Sequence, residues 1–370
     1  MPPEPKLVIW RSAMLGASET FVRNHGDALT RWQPVYLGAT KVESVLARES
    51  DRIAYPSAAD RNAFLRLRLG GGSPRLRQIL GEIRPRLVHA HFGGDAWLIS
   101  GSTKRLGLPL IVTTHGHDVT RQPESGGALG LRYRRNLKSV FARAHTVLAV
   151  SEVIRAKAIH WGADPAKVRV HYTGVPVPAE APVRAKEWDV AFVGRFVAKK
   201  GADDLIAALA SLGPAKPRAV FIGDGPLLPA MRTYAAQTGA DVTFLGPRTP
   251  AEVHEVLAAS RLLAAPSRTA ADGDTEGLPT TIVEAAALGL PVVSTRHSGI
   301  PEAVHDGETG LLGPEGDREA LAHNITRLLT DENLRSRFGK QGRELILTKF
   351  NLTTQSQKLE QLYDEVAGGR

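Results

Sequence analysis

Two carboxylates, two cations and a histidine stand in this 370-residue chain at spacings suited to holding a phosphorylated, polyhydroxylated ligand. Glu276 and Glu284 lie in "TEGLPTTIVEA", on either side of a Gly-Leu-Pro turn. Pro279 suits the first turn of a helix, where its missing N–H would have no partner anyway. Gly289 and Pro291 then mark a stop about ten residues later. Thr280 and Glu284, four apart, share one face of that helix, and Glu276 sits in the loop ahead of it. One acid is enough to complement a helix N-terminus. A second, with Gly277 between them to let a ligand approach the backbone, points to a bound polyol or anion. In "GRFVAKKG", Gly194–Gly201, Arg195 follows a strand and Lys200 precedes a helix, which makes a site for a phosphate or pyrophosphate. An ordinary solvated loop accounts for Lys199. "FIGDGP" places Gly223 and Gly225 after another strand, short of a full dinucleotide fingerprint. His115, in "TTHGHD", stands at a strand end, and His117 and Asp118 follow it as loop groups that could reach a substrate.

Two further patterns bear on metals. "DGD", Asp272–Asp274, directly precedes Glu276 without a supporting metal context and is read as a polar loop. "HAH" and "HGH" carry histidines at alternate positions, a spacing that can bind zinc, but no partner acid accompanies them. No metal is expected.

The elements that must position these residues alternate between strands and helices. "KLVIW", "PVYLGA", "LVHAHF", "PLIVTTH" and "HTVLAVS" have the character of strands, separated mostly by amphipathic segments. The aperiodic, proline-rich "VPVPAEAPVRAKEW" follows as a linker. The alternation then restarts with "DVAFVGR", "RAVFIGDG", "DVTFLG", "RLLAAPS" and "LPVVST". Apolar strands alternating with helices imply parallel sheets covered on both faces. The expected fold is therefore α/β, with two doubly wound, Rossmann-like domains. In such folds ligands bind beyond the carboxyl ends of the strands, where most of the residues named above fall. The expected boundaries are residues 1–178 and 189–350, with 351–370 a terminal helix crossing back to the first domain.

Composition narrows the function classes. With 42% hydrophobic and 23% charged residues the chain has the balance of a soluble globular protein. It has no cysteine, so disulfides and thiolate metal sites are excluded. Its opening stretch lacks the pattern of a signal peptide, and no apolar run is long enough to span a membrane. A cytoplasmic location is expected. The net charge of +9 is unevenly spread: residues 1–180 hold 26 Lys+Arg against 14 Asp+Glu, and the remainder 21 against 24. The basic stretches "RNAFLRLRLGGGSPRLRQILGEIRPR" and "LRYRRNLKSVFAR" admit a solvated face, an anionic membrane surface or nucleic acid as partner. Leu65, Leu67 and Leu69, set between Arg66 and Arg68, are candidates to dip into a membrane interface or to belong to the core.

Taken together, "GRFVAKKG", "FIGDGP", "VTFLGP", the E-x7-E of "EGLPTTIVE" and "SGIPEAVHDGETGLL" resemble glycosyltransferase family 4, retaining nucleotide-sugar enzymes of GT-B fold. They occur in the family's order over about residues 190–315. "SETFV", "VHAHFG" and "THGHD" extend the likeness to the first domain. Ser18, Glu19 and Thr20 replace the glycines many members carry there, a version similar to enzymes of bacterial surface-polysaccharide synthesis.

The resemblance implies two Rossmann-like domains facing a central cleft, and roles for particular residues. Glu276 would bind the donor sugar and Glu284 the ribose. Arg195 and Lys200 would take the pyrophosphate, and the segment Gly277, Leu278, Pro279 and Thr280, through the amides of all but the proline, would face the sugar and phosphates. Gly194, Gly223 and Arg248 would complete the nucleotide contacts, with base selection in "GPRTPAEV". His115 would lie by the donor sugar, with Ser18, Glu19, Thr20, His117 and Asp118 on the acceptor side. The implied activity is metal-independent transfer of a hexose, with retention, from a UDP- or GDP-linked donor to an acceptor hydroxyl. The expected acceptor is a lipid-linked glycan of exopolysaccharide or lipopolysaccharide synthesis at the inner face of a bacterial membrane, with no nucleic-acid partner. Alternatives are another GT-B enzyme, such as a nucleotide-sugar epimerase, or a basic nucleic-acid-binding protein. E-x7-E beside "GRFVAKKG" disfavours the epimerase, and the basic stretches lack the interleaved aromatics of the binding protein.

Overall fold

A computed structural model describes residues 4–16, 19–213 and 216–368. The chain divides into two compact units, residues 1–174 with 352–370, and residues 175–351. Each is built on its own parallel sheet.

The first unit carries seven strands: β1 (Lys6–Met14), β2 (Gln33–Lys41), β3 (Arg52–Ile53), β4 (Leu87–His91), β5 (Leu110–Thr114), β6 (Thr146–Ala149) and β7 (Val168–Val170). Their order is β3-β2-β1-β4-β5-β6-β7, with every pairing parallel. All residues of β4, β5 and β6 are buried, as expected of strands covered by helices on both faces. The core includes Leu7, Ile9, Val22, Trp32 and Ile111 together with Leu359, Leu362, Tyr363 and Val366. Those last four come from the terminal helix Leu352–Gly368, which completes this unit's core from the far end of the chain. Glu360, buried on the same helix, accepts the amide N–H groups of Thr30 (2.7 Å) and Arg31 (2.6 Å).

The second unit carries β8 (Trp188–Val193), β9 (Ala219–Ile222), β10 (Val242–Gly246), β11 (Ser260–Ala265), β12 (Val292–Thr295) and β13 (Gly310–Gly313). Their order is β10-β9-β8-β11-β12-β13, again all parallel. Phe192, Phe196 and Phe221 anchor a core completed by Leu205, Leu262, Val293, Ile325 and Phe338. Residues 176–187 form no helix or strand, in keeping with the proline-rich linker. In both sheets the strand order reverses once, between β1 and β4 and between β8 and β11. Ligands of doubly wound folds collect at such points.

Candidate active site

In the second unit the chain leaving β8 and the chain leaving β9 touch through their glycines. Gly223 adopts φ +135°, and a Cβ there would sit 2.0 Å from the carbonyl oxygen of Gly194. A side chain at Gly223 would thus push the two strand exits apart. Gly201, at φ +65°, caps the helix Ala202–Ser211, and a Cβ on it would sit 2.0 Å from the carbonyl oxygen of Pro266. These close approaches bring the lysines beside the segment after β11. Lys199 Nζ holds Asp274 Oδ1 and the carbonyl of Thr275, each at 3.1 Å. Lys199 is therefore a structural clamp rather than a solvated loop residue. Lys200 Nζ meets Glu276 Oε1 at 2.9 Å as an ion pair without hydrogen-bond alignment. Arg195 is exposed and has no carboxylate at ion-pair distance among the described residues.

Glu276 is 7% exposed, and Gly277, Leu278 and Pro279 after it are buried. Burial pushes its carboxyl up, but Lys200 and Lys199 together outweigh that and hold it below the usual range. The helix that follows runs Thr280–Ala287. Pro279 is its N-cap in extended conformation, so the helix begins one residue later than the proline rule suggests. No side chain caps this end, and its first N–H groups are left for other acceptors. Glu284, one turn in, is pushed up to about 7 by burial, only partly offset by Lys200. Lys200 helps to hold one carboxyl down and only partly offsets burial at the other, so the site has two differently tuned acids.

His297, Ser298 and Glu315 also bear on this loop, and the sequence reading did not single them out. His297 Nε2 accepts the amide N–H of Glu276 at 3.1 Å, and its Nδ1 meets Glu315 Oε1 at 2.6 Å. Ser298 Oγ donates to the carbonyl of Glu276 at 2.6 Å. Ser298 opens "SGIPEAVHDGETGLL", read only as part of a family pattern, while His297 and Glu315 flank that stretch.

Arg248 lies beyond β10, its guanidinium donating to the carbonyl of Pro247 at 2.9 Å and approaching Glu252 at 3.9 Å. Thr249 and Glu252 form a reciprocal cap on the helix Pro250–Ala258, so this loop is ordered by its own polar groups. Asp274 is engaged by Lys199, and Asp272 Oδ1 accepts the Asp274 amide at 3.1 Å, as befits a polar loop. Among the described residues no group of three or more His, Cys, Asp or Glu is placed to hold a metal ion.

In the first unit the candidate residues gather beyond β1, β4 and β5. Ser18 lies outside the described residues. Glu19 is the N-cap of the helix Thr20–Asp27, and its carboxylate is gripped by Arg11, which also pairs with Asp95. Asp95 further accepts the amide of Ser12 at 2.7 Å. Phe92, between β4 and the helix Gly93–Leu106, holds φ +67°, a conformation that costs an L-residue about 1–3 kcal/mol. Its ring lies 4.5 Å from that of His115, 5.1 Å from that of His117 and 4.3 Å from the Arg11 guanidinium. His115 Nε2 contacts His91 Nδ1 at 3.0 Å, so one ring donates and the other accepts. Burial, with Arg11 next in weight, holds His115 well below the usual histidine range, so the ring is neutral. The "HAH" pair is likewise engaged internally, for His89 contacts the Tyr363 hydroxyl and Thr113 Oγ1, each at 2.7 Å.

Two sequence expectations change here. Asp118 is fully buried and accepts the amides of His115 (3.1 Å), Gly116 (3.0 Å) and Gly93 (2.9 Å). It shapes the His115 loop instead of facing a substrate. On the helix Arg61–Gly70, Leu67 is buried, whereas Leu65 and Leu69 are 45% and 64% exposed. Only these two of the three leucines are free to meet an interface. No helix among the described residues is long and apolar enough to cross a membrane.

Comparison with known proteins bears on the family and the fold. Residues 18–177 match the family described as Glycosyltransferase Family 4, and residues 178–345 the one described as Glycosyl transferases group 1. The chain is 29% identical over 290 residues to the amylovoran biosynthesis glycosyltransferase AmsK of Erwinia amylovora, covering 76% of this chain and 70% of that one. It is also 29% identical over 362 residues to a GDP-mannose-dependent alpha-(1-6)-phosphatidylinositol monomannoside mannosyltransferase of Mycolicibacterium smegmatis, covering 92% and 91%. Among solved structures, Anabaena Alr3699/HepE in complex with UDP and glucose superposes with TM-score 0.78 at 19% identity, over 98% of this chain and 100% of that one. The matched families and the two parallel α/β units agree: this chain belongs to glycosyltransferase family 4.

Proposed function

We propose that this chain is a retaining, metal-independent hexosyltransferase. Its donor is a UDP- or GDP-linked sugar, and its acceptor is a glycan hydroxyl on a lipid diphosphate carrier, in assembly of a bacterial exopolysaccharide or lipopolysaccharide. One observation carries the donor side: Lys200 in contact with Glu276 at the carboxyl ends of β8 and β11, with Glu284 one turn along an uncapped helix. Kinship to the amylovoran enzyme supports the polysaccharide context. The UDP-bound neighbour and the GDP-mannose-dependent relative support the two nucleotides respectively.

In this scheme residues 189–350 bind the donor, residues 1–178 serve the acceptor and membrane side, and residues 351–370 complete the latter. Glu276 accepts hydroxyls of the donor sugar, and Glu284 those of the ribose. Gly194 and Gly223 keep side chains away from the nucleotide, and Arg248 borders the base. The bond from the anomeric carbon to phosphate oxygen breaks, and its electron pair leaves with the diphosphate. Arg195, Lys200 and the free amides of the segment Gly277–Thr280 take up the growing charge, at about 3–4 kcal/mol for each well-placed donor. These cations fill the part a divalent ion plays elsewhere. The acceptor oxygen bonds to the same face of the sugar, and its proton passes to the departing phosphate. His115, neutral, offers a ring nitrogen to a donor-sugar hydroxyl, while Ser18, Glu19, Thr20 and His117 lie on the acceptor side.

The acceptor's carrier places the enzyme at the inner, cytoplasmic face of the membrane. Exposed Leu65 and Leu69 on one helix and Leu129 and Leu131 on the helix Gly127–Arg143 are interleaved with Arg66, Arg68 and Arg135. The two helices are joined where Arg132 donates to the carbonyl of Arg68 at 2.7 Å. Each basic residue near anionic lipid contributes about 1 kcal/mol. Nucleic acid has no part in this scheme.

Calorimetric titration of UDP, GDP and ADP with EDTA present, against wild type and Lys200→Ala, is the direct test. Binding of one nucleotide, lost in the variant, is the expected result. Absence of binding by any nucleotide would refute the donor site, and binding that EDTA abolishes would refute metal independence. Anomeric configuration of the product, read by NMR, decides retention. Co-sedimentation with anionic liposomes decides the membrane surface.

A further inference from the structure

Both main-chain polar groups of Glu276 are held by the side chains of two consecutive residues that follow β12. The amide N–H goes to His297 Nε2 at 3.1 Å, and the carbonyl takes the hydroxyl of Ser298 at 2.6 Å. Because Nε2 accepts, the ring proton sits on Nδ1, where it is donated to Glu315 Oε1 at 2.6 Å. Glu315 Oε2 in turn accepts the amide of Thr269 at 2.7 Å, so one carboxylate ties His297 to the start of the loop that carries Glu276. His297 is 1% exposed. Ser298 holds φ +46°, a left-handed conformation that L-residues rarely adopt. Core packing alone would be served by an apolar side chain, without burying a ring whose two nitrogens must both be matched. The arrangement uses buried polarity and a strained residue to fix one short stretch of backbone, that of Glu276.

We infer that His297, held in its Nδ1–H tautomer by Glu315, is a positioning residue for Glu276 in sugar transfer. This rests on Glu276 serving the donor sugar. Lys200 pulls on the side chain of Glu276, while His297 and Ser298 fix the backbone from which it projects. Carboxylate placement then depends on both ends. With the ring proton on Nε2 instead, two N–H groups would face each other, so Glu315 leaves the loop one satisfied state. A displacement of about 1 Å at a reacting centre costs roughly 100-fold in rate. Nucleotide affinity depends on groups that His297 does not touch.

Two variants separate positioning from bulk. His297→Phe keeps a planar ring and removes the acceptor, whereas His297→Gln can place its amide oxygen near the position of Nε2. In His297→Phe, hydrogen exchange resolved to the Glu276 amide is expected to accelerate by at least about tenfold. Release of UDP or GDP from UDP-glucose and GDP-mannose is expected to fall about 100-fold in kcat, with the nucleotide Kd within about twofold of wild type. His297→Gln should restore most of both. His297→Phe in a Glu276→Gln background should cost no further activity. Wild-type exchange and wild-type kcat in His297→Phe would overturn the inference, as would equal losses in kcat and nucleotide affinity. Undiminished turnover by Glu276→Gln alone would instead overturn the role of Glu276, and the exchange rate would then judge the positioning by itself.

Discussion

Replacing Lys200 by Met keeps the side-chain stem and removes the charge that faces Glu276. The two side chains are 17% and 9% exposed, so the pair is largely desolvated. Breaking such a pair from one side leaves a buried charge without its partner, at about 3–5 kcal/mol. Lys199 remains nearby, so about 3 kcal/mol at pH 8 is the appropriate figure. The pH dependence follows from burial, the largest influence on Glu276 and the one that raises its pKa. In wild type the lysines reverse it, and the depressed carboxyl adds stability above its unfolded value that is lost on acidification. In Lys200→Met burial prevails and the folded pKa rises, so the variant is unpenalised in acid and loses stability as pH climbs. The gap in melting temperature between wild type and variant should therefore be small at pH 5 and reach roughly 6–10 °C at pH 8. Adding Glu276→Gln should recover most of the loss at pH 8, because no buried charge then remains. Scanning calorimetry at pH 5, 6.5 and 8 on the three proteins measures this. An equal gap at pH 5 and pH 8, or a double variant as unstable as the single one, would refute the reasoning.

Glu284, pushed up to about 7 by burial, penalises the free protein increasingly as pH rises from its unfolded value through 7. Glu284→Gln should therefore raise the melting temperature at pH 8 while weakening nucleotide binding there, and calorimetry at pH 6 and pH 8 reads both. Glu360→Ala strips acceptors from the amides of Thr30 and Arg31 and should cost about 2–4 kcal/mol. The denaturant midpoint followed by tryptophan fluorescence, to which Trp32 contributes from its 2.9 Å bond to Asp364 on the same helix, reports that loss. Leu69→Glu with Leu129→Glu should abolish co-sedimentation with anionic liposomes and leave nucleotide affinity unchanged.

What was legible in the sequence was short-range. The apolar strands and the helices between them announced two parallel sheets, because each strand's burial is written in its own few residues. E-x7-E and "GRFVAKKG" were likewise visible as segments, and the fold brings them together through Lys200 and Glu276. Contacts across strand exits were not legible. His297 meets Glu276 from 21 residues away and Glu315 from 18, and nothing in the spacing tells a clamp from a solvated histidine. Lys199 resembles a loop cation until Asp274 lies beside it. Leu67 and Leu69 are two apart in an arginine-rich run, and only the helix's rotation sends one inward and the other out. Asp118 has the composition of a ligand contact, but three backbone amides claim its oxygens.

The terminal helix has a consequence for the order of assembly during synthesis. Leu359, Leu362, Tyr363 and Val366 belong to the core of the first unit, yet they are synthesised after the whole of the second. Residues 175–351 form one continuous compact unit, so all of it is made before the helix Leu352–Gly368. Residues 1–174 must wait with a gap beside Trp32 and His89 until Tyr363 has emerged. The usual N-to-C order is thereby inverted, and the half made first matures last. A chain cut before Leu352 would leave the first unit without the residues that close its core.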